Sequence, residues 1–410
     1  MSSLYILTDD LHKRADVLDF YGTIERGTVV LCMGKSGKTL AGIFLAVVTV
    51  PFLVYVMHTG SRTNMQQDFS VTNPVTQEPS LPQDTVLAYR VLHEGLHIPW
   101  DIAFLPNDAL LVTERSGTLK EIAPDGTTVA IPVSGVRHAG EGGLMGIALH
   151  PDFANNRLLY LYISREVNGG TVNSVERYRY DDSSLSERKV VVGDIPGAIY
   201  HDGGRIAFGP DGYLYIATGD ATQPDLSQDV QSLAGKILRV TEAGDPAPGN
   251  PFHSLVYSLG HRNPQGIAWD SNGVLWSTEH GRSGIFSGLD ELNRIERAGN
   301  YGWSDLQGDD RQHGFVAPTL HSGSDTWAPA SIAIVEDRIF FGGLRGEALY
   351  EVTQENGVPV LQEYFKGVFG RIRTVAVSPD GTSLYVTTSN RDGRGSVRDG
   401  DDKIIQVTGL

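Results

Sequence analysis

The chain has 410 residues, enough to bury a large core as one all-β unit with an appendage, and its 48 glycines stand among short apolar runs rich in Asp and Asn turns. A formal net charge of −16 argues against a nucleic-acid partner, because phosphate binding needs a basic surface. The single cysteine, Cys32, excludes an intrachain disulfide and a Cys-based zinc site.

Residues 1–39 mix acids and bases and are too long for a typical cleaved leader, so they are expected to form a cytoplasmic segment. Gly34-Lys35-Ser36-Gly37-Lys38-Thr39 has a superficial look of a phosphate loop, but Cys32 replaces its opening glycine and the lysines read better as topology signals. Leu40 to Met57 is 18 residues without a charge, which predicts a transmembrane signal anchor. Lys35 and Lys38 before it favour a cytoplasmic N-terminus, which puts the bulk of the chain outside the cytoplasm, in a periplasm or on a cell surface. Residues 58–84, rich in Gln, Asn, Ser, Thr and Pro, read as a flexible linker to a domain spanning 85–410.

In that domain a triplet of β-branched residue, alanine and apolar residue recurs six times: Ile102-Ala103-Phe104, Ile147-Ala148-Leu149, Ile206-Ala207-Phe208, Ile267-Ala268-Trp269, Ile332-Ala333-Ile334 and Val375-Ala376-Val377. Turn dipeptides such as Asp211-Gly212, Asn272-Gly273 and Asp380-Gly381 follow, each leading into a second apolar run. Spacings of roughly 43 to 65 residues predict one four-stranded blade per copy, hence an all-β six-bladed propeller, with an eight-stranded barrel as the rival. The small alanine suits an inner strand crowded near the axis. Val86 to Leu92 is expected to pair beside Lys403 to Val407 and close the ring.

Polar clusters next to these repeats are the candidate site. His201-Asp202-Gly203-Gly204-Arg205 precedes one inner strand, and a histidine there can take a proton near neutral pH, although a lone loop histidine is more often bonded to backbone. Gly260-His261-Arg262-Asn263-Pro264-Gln265-Gly266 precedes the next, where Arg262 could polarise a carbonyl oxygen gaining negative charge. Arg345, and Arg371 with Arg373 two residues on, form a basic set suited to carboxylates. Glu279-His280-Gly281-Arg282, Leu289-Asp290-Glu291-Leu292-Asn293 and Gly299-Asn300-Tyr301-Gly302-Trp303 supply carboxylates and glycine-rich carbonyls of the kind calcium prefers, or else plain acidic loops. Trp327 and Trp100 are candidates to stack on a sugar, against the commoner role in a core.

Together these motifs, from about Leu96 to Val407, resemble the glucose/sorbosone dehydrogenases, which include aldose sugar dehydrogenases that use pyrroloquinoline quinone (PQQ). The resemblance implies oxidation of the aldose C1 hydroxyl to a lactone, with PQQ and Ca2+ as cofactors and an electron acceptor the sequence does not identify. His201 matches the general base. Arg262 matches the residue facing the quinone carbonyl, with Asn263 and Gln265 nearby, and Arg345, Arg371 and Arg373 match the cradle of the cofactor's carboxylates. Gly281 and Arg282 match the stretch whose carbonyls hold cofactor-bound calcium, and Glu291 with the carbonyl of Tyr301 matches a structural calcium site. Glu141, assigned with the cofactor-binding set, stands where some relatives carry glutamine. An acid beside an anion cradle calls for protonation or a metal partner. Two other readings are a propeller that binds a ligand without catalysis and a calcium-dependent lactonase-type hydrolase; the latter needs carboxylate and asparagine ligands converging on the axis.

Overall fold

The structure, a computed structural model, describes residues 19–25, 28–34, 87–284 and 287–410. The chain divides into two compact units, 1–79 and 80–410. In the first, Asp19–Glu25 pairs antiparallel with Thr28–Gly34. The expected anchor at 40–57 and linker at 58–84 lie outside the described residues, among which no helix is long and apolar enough to cross a membrane.

The second unit holds six four-stranded antiparallel sheets, each built from consecutive strands except the last. Their inner strands are Pro99–Phe104, Leu144–Leu149, Ile206–Phe208, Pro264–Trp269, Pro329–Val335 and Ile372–Val377, and every one carries the repeated triplet. The sixth sheet closes the ring as expected, with a shift of a residue or two at its ends. Ala88–His93 pairs with Ile404–Thr408, placing Ala88 opposite Thr408 and His93 opposite Ile404. The molecule is therefore a six-bladed propeller rather than a barrel.

Local chemistry explains the blades. Gly212, Gly273 and Gly381 adopt φ of 78°, 76° and 74° and donate to the carbonyl three residues back at 2.8–2.9 Å, closing the turns that the dipeptides promised. Apolar layers form where neighbouring blades face each other, as where Met145, Tyr160 and Tyr162 of the second blade meet Ile206, Ile216 and Leu238 of the third. The tightest approach near the axis falls one residue before the triplet and not on its alanine. A Cβ on Gly146 would stand 2.3 Å from the Gly204 carbonyl oxygen, and one on Gly266 2.6 Å from that of Ala330.

Side chains at that same position stitch blade to blade. Thr374 donates to the Trp100 carbonyl at 2.7 Å and Ser331 to that of Val375 at 3.0 Å. Asp101 accepts the Ile147 amide at 3.1 Å and pairs with Arg205, which donates through Nε to the Gln265 carbonyl at 3.0 Å. Because neighbouring strands run antiparallel, the start of each inner strand and the end of each second strand lie at one end of the ring. Loops from all six blades gather there.

Candidate active site

His201, Arg262, Asn263, Gln265, Arg371 and Arg373 all stand at this end, in or beside the loops that open inner strands three, four and six. Loops after second strands meet them with Arg115, Asp220, His280, Arg345, Asp392 and Arg394.

The imidazole of His201 is held from below. Its Nδ1 lies 2.8 Å from Asp220 Oδ1, and since a carboxylate oxygen only accepts, Nδ1 carries the proton and Nε2 keeps the lone pair. Asp220 is fully buried, and it also accepts the Thr222 amide at 2.7 Å and the Trp303 indole at 2.8 Å. Trp303 is fixed in turn: its carbonyl accepts Ser227 Oγ at 2.5 Å and Gln228 Nε2 at 2.6 Å. The loop bearing Ser227 is pinned by Lys236. This fully buried ammonium, pushed down to about 7 by burial, donates to the carbonyls of Leu226, Ser227 and Ala234 at 2.7–2.9 Å.

Arg262 lies over the Trp303 ring at 5.2 Å and donates to Ser283 Oγ at 2.8 Å, so one indole stands between it and the Asp220 that holds His201. His261, its neighbour in the motif, is structural. It is fully buried between Glu279 at 2.9 Å and Ser258 at 2.9 Å, and it stacks on Tyr301 at 4.6 Å. Asn263 accepts the Gly203 amide at 3.0 Å, joining the two motif loops.

Arg371 and Arg373 are both buried but do not form a single fork. Arg371 is committed to Asp392 at 2.7 Å and 3.0 Å, whereas Arg373 is held by Gln265 Oε1 at 2.5 Å and lies over Trp100 at 5.6 Å. Burial pushes Arg373 down to about 9. Arg371 also donates to the Leu344 carbonyl at 3.1 Å, which brings the exposed Arg345 next to this pair.

Several buried nitrogens at this end have no hydrogen-bond partner: Nε of Arg115, Arg262 and Arg373, Nδ2 of Asn263, and Nε2 of His280. The first four can only donate. Three of these four donors sit on guanidinium groups, so this end of the ring gathers buried cations whose hydrogen-bonding capacity the protein does not fully match.

Glu141 is bonded on both sides. Its Oε2 accepts the His201 amide at 3.0 Å and its Oε1 pairs with Arg394 at 2.7 Å, so both oxygens are engaged within the protein. Burial opposes its ionisation, yet His280 and Arg394 hold it down to about 2. His280 is itself pushed down to about 3 by burial, so Arg394 is the cation that matters near neutral pH.

The calcium candidates occupy two places. Gly281 donates its amide to Asp290 Oδ1 at 2.8 Å and Arg282 to the Gly288 carbonyl at 2.9 Å, within a loop too tight for a Cβ at Gly281. Glu291 and Tyr301 line a cavity of about 20 Å³, room for a single water or ion. Burial, reinforced by nearby Glu279, raises Glu291 to about 8, and the buried Asn293 Oδ1 beside it has no partner. No group of three or more His, Cys, Asp or Glu able to hold a metal occurs among the described residues.

Trp327 takes the core role that the sequence left as the commoner one. It is 5% exposed and packs against Phe341 at 5.4 Å and Tyr350 at 5.8 Å, leaving no face for a sugar. Trp100 is buried likewise, beneath Arg205 at 4.3 Å.

The glucose / sorbosone dehydrogenase family matches residues 96–398. The PQQ-bound structure of an aldose sugar dehydrogenase from Streptomyces coelicolor is 40% identical, with a TM-score of 0.73 over 79% of this chain and 98% of that one. The aldose sugar dehydrogenase YliI of Escherichia coli is 32% identical over 74% of this chain and 90% of its own length. Quinoprotein glucose dehydrogenase B of Acinetobacter calcoaceticus is 32% identical over 53% of this chain and 52% of its own.

Proposed function

Since the chain belongs to the glucose/sorbosone dehydrogenase family, we propose that it is a PQQ-dependent dehydrogenase that oxidises the anomeric hydroxyl of aldose sugars to lactones. One observation carries this reading: a base with a fixed tautomer shares a propeller face with buried cationic donors that lack acceptors.

PQQ, when bound, supplies a two-electron acceptor for the hydride leaving the sugar carbon. Arg373, with its free Nε, and Arg371 would hold the cofactor's carboxylates, with exposed Arg345 at the rim. Arg262 and Asn263, each with a free donor, would face its carbonyl oxygens. His201 Nε2 takes the proton from the sugar hydroxyl. Asp220, which accepts from Nδ1, stabilises the imidazolium so formed and prevents the ring from presenting the wrong nitrogen. Trp303 links Asp220 and Arg262, so base and cation keep one relative geometry.

Calcium belongs to the same proposal. Gly281 and Arg282 would contribute carbonyls to an ion beside the cofactor. Glu291, with Asn293 Oδ1 and the carbonyl of Tyr301, would take a second ion that lets Glu291 ionise despite its burial. Residues 40–57 would anchor the domain to a membrane with the propeller outside the cytoplasm, which the charge-free run and its flanking lysines support. A chain beginning at Thr59 should then stay in the supernatant after ultracentrifugation while the full chain sediments with membranes.

The deciding assay adds PQQ and calcium to purified protein and follows dye reduction with a panel of aldoses. Sugar-dependent bleaching supports the proposal. Lactone hydrolysis without bleaching selects a hydrolase, and neither signal selects a binding module.

A further inference from the structure

We infer that Glu141 is a positioning residue for His201 rather than a ligand of the cofactor, and that Arg394 is the countercharge that lets an acid stand beside the anion cradle. The assignment of Arg394 to the cradle's charge balance rests on the PQQ reading; the positioning role of Glu141 does not.

His201 has φ of 62°, a left-handed conformation that residues with a Cβ adopt at a cost, so its backbone has to be held from outside. It is held on two sides. Its carbonyl accepts the Ala221 amide at 3.1 Å and lies so close to Gly219 that a Cβ there would stand 1.9 Å from the oxygen. Its amide donates to Glu141 Oε2 at 3.0 Å, while the Glu141 amide donates back to the Ile199 carbonyl at 2.8 Å. The Glu141 loop and the His201 loop are thus cross-bonded in both directions.

Protonation does not explain how the acid is tolerated, because Glu141 is ionised far below neutral pH. The cation bonded to it directly is Arg394. It pairs with Glu141 Oε1 and lies over the ring of Tyr200, the residue before His201, at 5.5 Å. Its own amide donates to Asp392, the carboxylate that holds Arg371. One loop therefore serves the base through Arg394 and the cradle through Asp392.

Three variants test this: Glu141→Ala, Glu141→Gln and Arg394→Ala, with the last two also combined. Glu141→Ala removes the acceptor, and kcat should fall roughly 10- to 100-fold with KM within about threefold, as expected for a lost orienting contact. Glu141→Gln keeps an acceptor oxygen and should recover most of that loss. In protein free of quinone, the His201 amide proton should exchange about tenfold faster in Glu141→Ala than in wild type, and not in Glu141→Gln. Arg394→Ala should weaken PQQ binding about tenfold by leaving an uncompensated carboxylate, and Glu141→Gln in the same chain should restore it.

Unchanged kcat and unchanged exchange in Glu141→Ala would overturn the positioning role. A double variant no better than Arg394→Ala would overturn the countercharge. The Arg394 side chain is 47% exposed, so that arm stands even where Glu141→Ala does not fold. Wild-type protein that binds no PQQ would defeat the functional reading, while the exchange measurement would still decide the role of Glu141.

Discussion

Asp220→Asn is the sharpest perturbation of the proposed base, His201. The native carboxylate accepts three hydrogen bonds at 2.7–2.8 Å, from His201, Thr222 and Trp303, in a fully buried position. Asparagine keeps one acceptor oxygen and presents an NH2 where the second stood. That NH2 must face either the Trp303 indole N–H or the His201 Nδ1–H, two donors that cannot yield to it without a lost bond or a flipped tautomer. One charged hydrogen bond lost, plus one buried donor unpaired, amounts to about 2–4 kcal/mol of local stability. The catalytic cost is larger, because a flipped tautomer removes the lone pair from Nε2 and an unpaired imidazolium is no longer stabilised; kcat should fall by roughly 10² to 10⁴. Dye-coupled turnover of PQQ-loaded protein, beside a thermal melt of the same sample, measures both. A variant that turns over within about threefold of wild type would refute the role given to Asp220 and, with it, the tautomer assigned to His201.

Other outcomes follow from the same geometry. His201→Gln should abolish turnover while leaving PQQ affinity, read by tryptophan fluorescence, within about threefold. Arg373→Met should do the opposite and weaken PQQ about 100-fold, since it deletes a buried cation with a free donor; calorimetric titration reads this directly. Burial raises Asp202 from 3.8 to about 6, so the folded state holds a proton that the unfolded state has lost, and this contribution to stability is present at low pH and lost as pH rises through that window. About two units at 1.36 kcal/mol each predicts that wild type loses about 3 kcal/mol relative to Asp202→Asn between roughly pH 4 and 6, measured by urea unfolding. Calcium should raise the melting temperature of wild type and not of Glu291→Gln, whose neutral amide forgoes the gain from binding the ion.

The blades were legible because their signal is periodic: six triplets, three of them followed by an Asp-Gly or Asn-Gly turn, leave little freedom in strand count. Ring closure was legible because propeller rings commonly pair strands from the two ends of the domain in one blade, here Ala88–His93 with Ile404–Thr408. That His201, Arg262 and the arginines near Arg371 share one end of the ring was legible because polar clusters stood directly before inner strands. Arg115, Asp220, Asp392 and Arg394 were missed because, of the loops after second strands, only those bearing His280 and Arg345 were read. The ends of second strands, as in Leu110–Glu114 followed by Arg115 and Leu214–Thr218 followed two residues later by Asp220, reach the same face by antiparallel geometry. Trp327 lies in the core, the commoner of the two roles its sequence context allowed. The pairing of Glu141 with Arg394 joins positions 253 apart in the chain, which no local pattern reports.

The central claim is that one propeller face gathers unmatched cationic donors around His201 to receive a multiply anionic quinone. Titrating PQQ into the purified apo-protein with calcium, then adding an aldose, tests it most directly. Saturable binding weakened by salt, followed by reduction of the bound quinone on adding sugar, is the expected result. Absence of saturable binding, or binding that the sugar leaves fully oxidised, would contradict it.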